Sequence, residues 1–100
     1  MTHAHNMLTG RDAEMAERLR KVAASGRTQL CIQLLEAGAP FIVDSDGQTA
    51  LHLAASAGHA ETVSALILGG CDIGIQDFSG HTPLQKAATE GHLDIVRQPP

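Results

Sequence analysis

Six histidines and two cysteines are the side chains in this sequence best equipped for metal or nucleophilic chemistry. His3 and His5 form an H-x-H pair near the start, a spacing with incidental affinity for a divalent metal. A functional zinc site wants four converging ligands. A metal-dependent enzyme would therefore have to recruit a distant residue such as His59, and would retain zinc through gentle purification. Cys31 and Cys71 stand far apart with no C-x-x-C between them, which predicts two reduced, structural thiols. No G-x-S-x-G presents a serine, and the glycines form neither G-x-G-x-x-G nor G-K-[ST]. The expectation is a chain that is not an enzyme and has no cofactor and no metal site, its polar residues working by hydrogen bonding.

Composition narrows the elements that hold these residues. The 43% hydrophobic fraction is built from Ala, Leu, Ile and Val, with two Phe and no Trp or Tyr. Small aliphatics of this kind suit closely packed helices. One hundred residues bury a limited core, so stability is a live question. The net charge of −4 divides into +2 over residues 1–27 and −6 over residues 28–100. An acidic body repels phosphate backbones, which argues against direct nucleic-acid binding. The basic residues Arg11, Arg18, Arg20, Lys21 and Arg27 do not reverse this. Glu14 and Glu17 precede Arg18 and Lys21 by one helical turn, the spacing of paired surface charge. No apolar run approaches the ~18 residues of a membrane span. Without a membrane segment or secretory leader, the expected location is cytoplasm or nucleus.

Sliding the sequence on itself by 33 positions aligns Asp44, Gly47, Thr49, Leu51, Ala54, Ala55, Gly58, His59 and Val63 with Asp77, Gly80, Thr82, Leu84, Ala87, Ala88, Gly91, His92 and Val96. A fixed period in this range marks a unit that stacks on copies of itself. A more degenerate copy at an offset of 32 matches Leu19, Ala23, Gly26, Leu34 and Gly38 to Leu51, Ala55, Gly58, Leu66 and Gly70. One residue fewer separates Gly38 from Asp44 than Gly70 from Asp77, so the first connecting hairpin should be tighter. The predicted organisation is a flexible tail (1–11), a divergent first repeat (12–43), a full second (44–76), a partial third (77–98) and a short tail (99–100).

Each copy carries the punctuation of two helices. Asp44-Ser45-Asp46-Gly47 reads as a turn, and Thr49 as a hydroxyl cap for a first helix with Leu51, Ala54 and Ala55 on one face. Gly58 should end that helix in a left-handed conformation. A second helix over Ala60–Gly69 places Val63, Leu66 and Ile67 at the spacing of a buried stripe. In the first copy the helices are expected over Asp12–Ser25, with Met15, Leu19, Val22 and Ala23 inward, and Thr28–Ala37, with Cys31, Leu34 and Leu35 inward. A single helix pair cannot hide its apolar stripe, so neighbouring pairs must stack.

The run Thr49-Ala50-Leu51-His52-Leu53-Ala54-Ala55, followed by Gly58-His59, Leu66-Ile67 and Gly70-Cys71-Asp72, resembles the ankyrin repeat. The resemblance covers residues 12–98 and implies an all-α ankyrin-repeat solenoid of stacked helix-turn-helix units with hairpin loops, about two and a half repeats long. The first copy lacks the T-P-L-H block, as an N-terminal capping unit would. Gly38-Ala39-Pro40-Phe41, Leu51-His52-Leu53-Ala54-Ala55 and Glu90-Gly91-His92 are further similar to the ankyrin portion of GA-binding protein beta chains, which implies pairing with an ETS-type transcription factor through hairpin tips. The resemblance also makes His52, His59 and His92 hydrogen-bonding spacers between repeats.

Two departures stand out. Gln85 takes the place of the signature histidine, so the Thr–His pair should be only partly replaced in the third copy. Pro99 and Pro100 take the places of Leu66 and Ile67, where proline does not continue a helix, and this predicts an incompletely covered last surface. The resemblance implies a protein-interaction module, an adaptor or scaffold. Its contacts would lie on hairpin tips and the ends of inner helices: Ser45, Asp46, Gln48, Ser56 and Ala57 in one unit, Phe78, Ser79, His81, Thr89 and Glu90 in the next. Phe41 is a further candidate anchor, or else packs beneath its tight hairpin. The expected partner is another protein, with weak self-association through the incomplete last repeat. The rival reading is a truncated, marginally stable fragment or isoform of a longer ankyrin-repeat protein, a transcription-factor regulatory subunit among the options.

Overall fold

The computed structural model describes residues 10–97. Six helices occur among them: α1 (Gly10–Ala24), α2 (Thr28–Glu36), α3 (Ala50–Ala57), α4 (Ala60–Leu68), α5 (Pro83–Thr89) and α6 (Leu93–Val96). They pair in sequence, α1 with α2, α3 with α4, and α5 with α6. Helices α1, α3 and α5 pack side by side as one layer, and α2, α4 and α6 form the other. No strand is present among the described residues, and the stack is elongated, 49 × 29 × 22 Å. The expected all-α repeat architecture is what the chain adopts.

Local chemistry sets the helix ends. The hydroxyl of Thr49 accepts a hydrogen bond from the backbone N–H of His52 at 3.2 Å, while His52 Nδ1 accepts from the N–H of Thr49 at 3.1 Å. Two otherwise orphaned donors are thereby satisfied at the start of α3. Thr82 and Gln85 build the same box at the start of α5, at 3.2 and 2.8 Å. Helix α3 stops at Gly58, whose φ of 83° lies in the left-handed region that a Cβ disfavours.

The core runs along the stack from Leu19 and Ala23 through Cys31, Leu51, Ala54, Ala55, Val63 and Leu66 to Ala87 and Ile95. Alanines at 54, 55 and 87 keep the inner helices close. Met15, Val22, Leu34 and Leu35 are half-buried against this core, and Ala16 is buried as well. Ile67 departs from its expected place in the buried stripe: it is 40% exposed. Its equivalent one repeat earlier, Leu35, is covered by the end of α4, where a Cβ on Gly69 would come within 2.8 Å of the leucine Cδ1. Among the described residues α6 spans Leu93–Val96, which lies ahead of the position that would match Gly69 over Leu35. Thr62 is buried instead, its hydroxyl 2.7 Å from that of Thr28, which ties the starts of α2 and α4 together. Gln98, Pro99 and Pro100 lie outside the described residues, as do His3, His5 and the start of the expected tail.

Candidate functional site

The polar residues that looked chemically capable are used as ties between repeats. His52 is fully buried. With Nδ1 accepting from Thr49, its proton is assigned to Nε2, which donates to the carbonyl of His81 at 2.8 Å. The Nε2 of His59 lies 3.1 Å from the carbonyl of Ala24, and that of His92 lies 3.0 Å from the carbonyl of Ser56. Each imidazole thus reaches a backbone group in an adjacent repeat. His59, the describable member of the metal reading, is held in this way, whereas His3 and His5 lie outside the described residues. Among the described residues no group of three or more His, Cys, Asp or Glu could hold a metal ion.

Both cysteines are buried and free. Burial pushes the Cys31 thiol above its ordinary range. It does the same to Cys71, where hydrogen bonds from Thr49 and Leu51 offset part of the rise. A thiol held in this direction offers little thiolate for nucleophilic attack.

The loops between repeats end in tips organised by aspartates. Asp44 Oδ1 accepts from the N–H groups of Asp46 and Gln48, both at 2.9 Å. Asp77 Oδ1 accepts from those of Ser79 and His81, also at 2.9 Å. The two tips are joined directly, because the N–H of Phe78 donates to the carbonyl of Asp46 at 3.0 Å. The Phe78 ring lies over Gly47: a Cβ there would stand 2.5 Å from the ring Cδ1. Phe78 nonetheless remains 75% exposed. Ser45, Asp46, Ser79 and His81 are exposed beside it, and Gln48 is half-buried.

Ser56, Ala57, Thr89 and Glu90 sit elsewhere. They occupy the far ends of α3 and α5, about 12 Å along the helix axis from the tips. The candidate strip is therefore two patches, with the hairpin residues drawn together and the helix-end residues forming a second group. Phe41 belongs to neither, since it is half-buried against the core beneath the tight first connector. That connector is also pinned by Arg20, whose Nη1 donates to the carbonyl of Ile42 at 2.7 Å. Sequence reasoning placed Arg20 among surface charges and missed this role. It also treated the turn aspartates as generic, although the recurrence of Asp three residues before Gly at both 44 and 77 is the signal for an organised tip.

Asp77 is almost wholly shielded, with Lys86 Nζ at 3.9 Å from its second oxygen. Its carboxyl is held below the usual range, chiefly by the hydrogen bond from the His81 N–H and further by that from Ser79, against an opposing effect of desolvation. A carboxyl depressed in the folded state stabilises above its unfolded value, and that stability disappears as pH falls through the folded one. The tip should therefore loosen on acidification below about pH 4, where carboxylates titrate. In Asp77→Asn the amide oxygen still accepts both N–H bonds, so the acid-dependent part of the melting-temperature loss should shrink. An unchanged acid profile would assign the sensitivity to other carboxylates.

A sequence profile described as ankyrin repeats (3 copies) matches residues 19–98. The chain belongs to the ankyrin-repeat family. It is similar to the potassium channel AKT2/3 of Arabidopsis thaliana, 39% identical over 84 residues, which is 83% of this chain and 10% of the channel. It is also similar to the ARF GTPase-activating protein GIT1 of Homo sapiens, 31% identical over 87 residues, covering 85% of this chain and 11% of that protein. An ankyrin repeat-containing protein of Schizosaccharomyces pombe is 38% identical over 63 residues, 62% of this chain and 30% of its own length. The chain thus spans about a tenth of the first two relatives. Their variety fits a fold that serves in general as a non-catalytic protein-interaction module. The finer likeness to GA-binding protein beta chains rests on shared motifs alone. Among the described residues no helix is long and apolar enough to cross a membrane.

Proposed function

We propose that this ankyrin-repeat chain is an adaptor or scaffold that binds a protein partner through its joined hairpin tips, with Phe78 as the apolar anchor. The observation that carries this reading is the state of Phe78: its ring is three-quarters exposed, yet its backbone is tied to Asp46 and the ring lies against Gly47. An aromatic side chain already held in place loses little freedom on binding, and such residues dominate interface energetics. Ser45, Asp46, Gln48, Ser79 and His81 supply a polar rim, and Ser56, Ala57, Thr89 and Glu90 a second patch for a partner that reaches along the inner helices. Phe41 is left out of this surface because it packs inward. Two buried, reduced thiols support a cytoplasmic or nuclear setting.

Replacing Phe78 and His81 together by Ala is expected to weaken partner capture from cell extract by about 30-fold, the loss of one hot-spot residue. The helical circular dichroism should not change. Equal capture by the double variant would remove the tips as the binding surface. A second reading, a weakly folded stretch of a longer repeat array, has the exposure of Ile67, Leu84, Leu93 and Val96 in its favour. A broad, non-cooperative thermal transition would support it, and a single sharp one counts against it.

A further inference from the structure

Residues 28–85 carry six carboxylates and not one Lys or Arg. Four of the six, Asp44, Asp46, Asp72 and Asp77, stand on the two connectors between repeats. Among the described residues only Asp77 of these four has an ion-pair partner, with Lys86 Nζ 3.9 Å from its Oδ2 and the His81 ring beside its Oδ1. Arg20 reaches the first connector, but its Nη1 donates to the carbonyl of Ile42 at 2.7 Å. Asp44 and Asp72 each give one oxygen to backbone N–H groups of their own turns, which fixes their position and leaves their charge in place. Asp46 is exposed and forms no ion pair among the described residues. The joined tips thus set uncompensated negative charge next to the exposed Phe78 ring.

We infer that the partner met by these tips presents a basic segment, with an arginine that lies on the Phe78 ring and pairs with the Asp46 carboxylate. This rests on the tips being the binding surface, as proposed above. The Phe78 N–H donates to the Asp46 carbonyl, so the ring and the carboxylate are neighbours across the repeat boundary. A guanidinium suits that pairing, because its plane stacks on an aromatic ring while its edge offers N–H donors to a carboxylate. An ammonium is a strongly hydrated point charge and matches only half of it. The chain supplies no Lys or Arg of its own to Asp46, so an incoming cation displaces no internal partner. Asp44 and Asp72 add attraction at longer range, which speeds encounter with a basic segment and turns away an acidic one. Nucleic acid and anionic lipid carry the wrong sign for this surface.

Titration of the isotope-labelled whole chain with hexa-arginine, followed by NMR, tests the inference. The expected result is saturable binding with a Kd on the order of 0.1–1 mM, its shifts concentrated at Asp46, Gly47 and Phe78. Hexa-citrulline, which keeps the shape without the charge, should not bind, and hexa-lysine should bind more weakly than hexa-arginine. Asp46→Asn and Phe78→Leu should each weaken hexa-arginine about 3-fold, and together about 10-fold, the worth of an exposed ion pair and of a cation on an exposed ring. Neither residue belongs to the core, so the fold is retained. Glu61→Gln removes an exposed carboxylate on α4, away from the tips, and should leave the affinity unchanged. Absence of binding, shifts spread evenly over the acidic body, or a loss in Glu61→Gln equal to that in Asp46→Asn would each overturn the inference. Capture of a partner from extract separates it from the reading beneath it. Capture that is lost in the Phe78 and His81 double variant, yet survives Asp46→Asn and about 0.5 M salt, leaves the tips as the surface and overturns the basic partner. Capture that survives the double variant removes the surface itself.

Discussion

Replacing His52 by Ala should lower the unfolding free energy by about 3 kcal/mol, a large fraction of the roughly 5–15 kcal/mol typical of small domains. Three losses contribute. The capping box at the start of α3 is broken, which costs about 1 kcal/mol. The N–H of Thr49, a residue buried to 1% exposure, is left without the Nδ1 acceptor. A void also opens where a fully enclosed imidazole stood. The carbonyl of His81 suffers less, because it still accepts from the N–H of Asp77 at 2.8 Å. His52→Gln separates the local role from the one between repeats. Gln85 already builds the same box at the same register, so the substituted amide should cap α3 but reach His81 poorly. Its cost should be about 1 kcal/mol, the worth of one hydrogen bond. Chemical denaturation of the two variants would measure the difference. Equal losses would mean that the tie between repeats, and not the cap, carries most of the effect.

Gly58→Ala is the second large effect, at about 2–3 kcal/mol. The φ of 83° penalises any Cβ, and the added methyl would stand 2.7 Å from Cε1 of the His92 ring. The ring must move, and its 3.0 Å contact with the carbonyl of Ser56 is lost with it. Gly91 provides the control. Its φ is 81°, but nothing lies within 4 Å of the Cβ position, so Gly91→Ala should show the backbone penalty alone, about 1 kcal/mol. Removing the ring first, in His92→Ala, should shrink the cost of Gly58→Ala toward that value. An additive double mutant would show that His92 is not what excludes a side chain at position 58.

These two variants probe different parts of how repeats adhere, and the first also bears on the proposed binding surface. The tips that carry Phe78 are aligned by ties across the repeat boundary: the Phe78 N–H to Asp46, and His52 to the carbonyl of His81. Loosening either tie lets the two tips move relative to each other, and an anchor that must be re-ordered on binding loses part of its advantage. If the tips bind as proposed, His52→Ala should therefore weaken partner capture in proportion to the stability lost, even though the residue is fully enclosed.

The repeating unit and its punctuation are legible in the order of the amino acids alone. Its period, the threonine caps, the glycine at the end of α3 and the paired helices all follow from chemistry among residues a few positions apart, which the 33-residue offset repeats nearly letter for letter. Burial, by contrast, was decided by the stack. Leu51 and Leu84 occupy one motif position behind the same kind of cap, yet one is 1% exposed and the other 42%. Ile67 fitted the spacing of an inward stripe and came to lie on an edge. Phe41 and Phe78 looked alike as hairpin aromatics, and only packing sent one against the core and left the other in solvent. The physical reason is that caps and turns are satisfied within their own segment, whereas an apolar surface is hidden only if a neighbouring repeat reaches it. Whether one does depends on a helix more than thirty residues away.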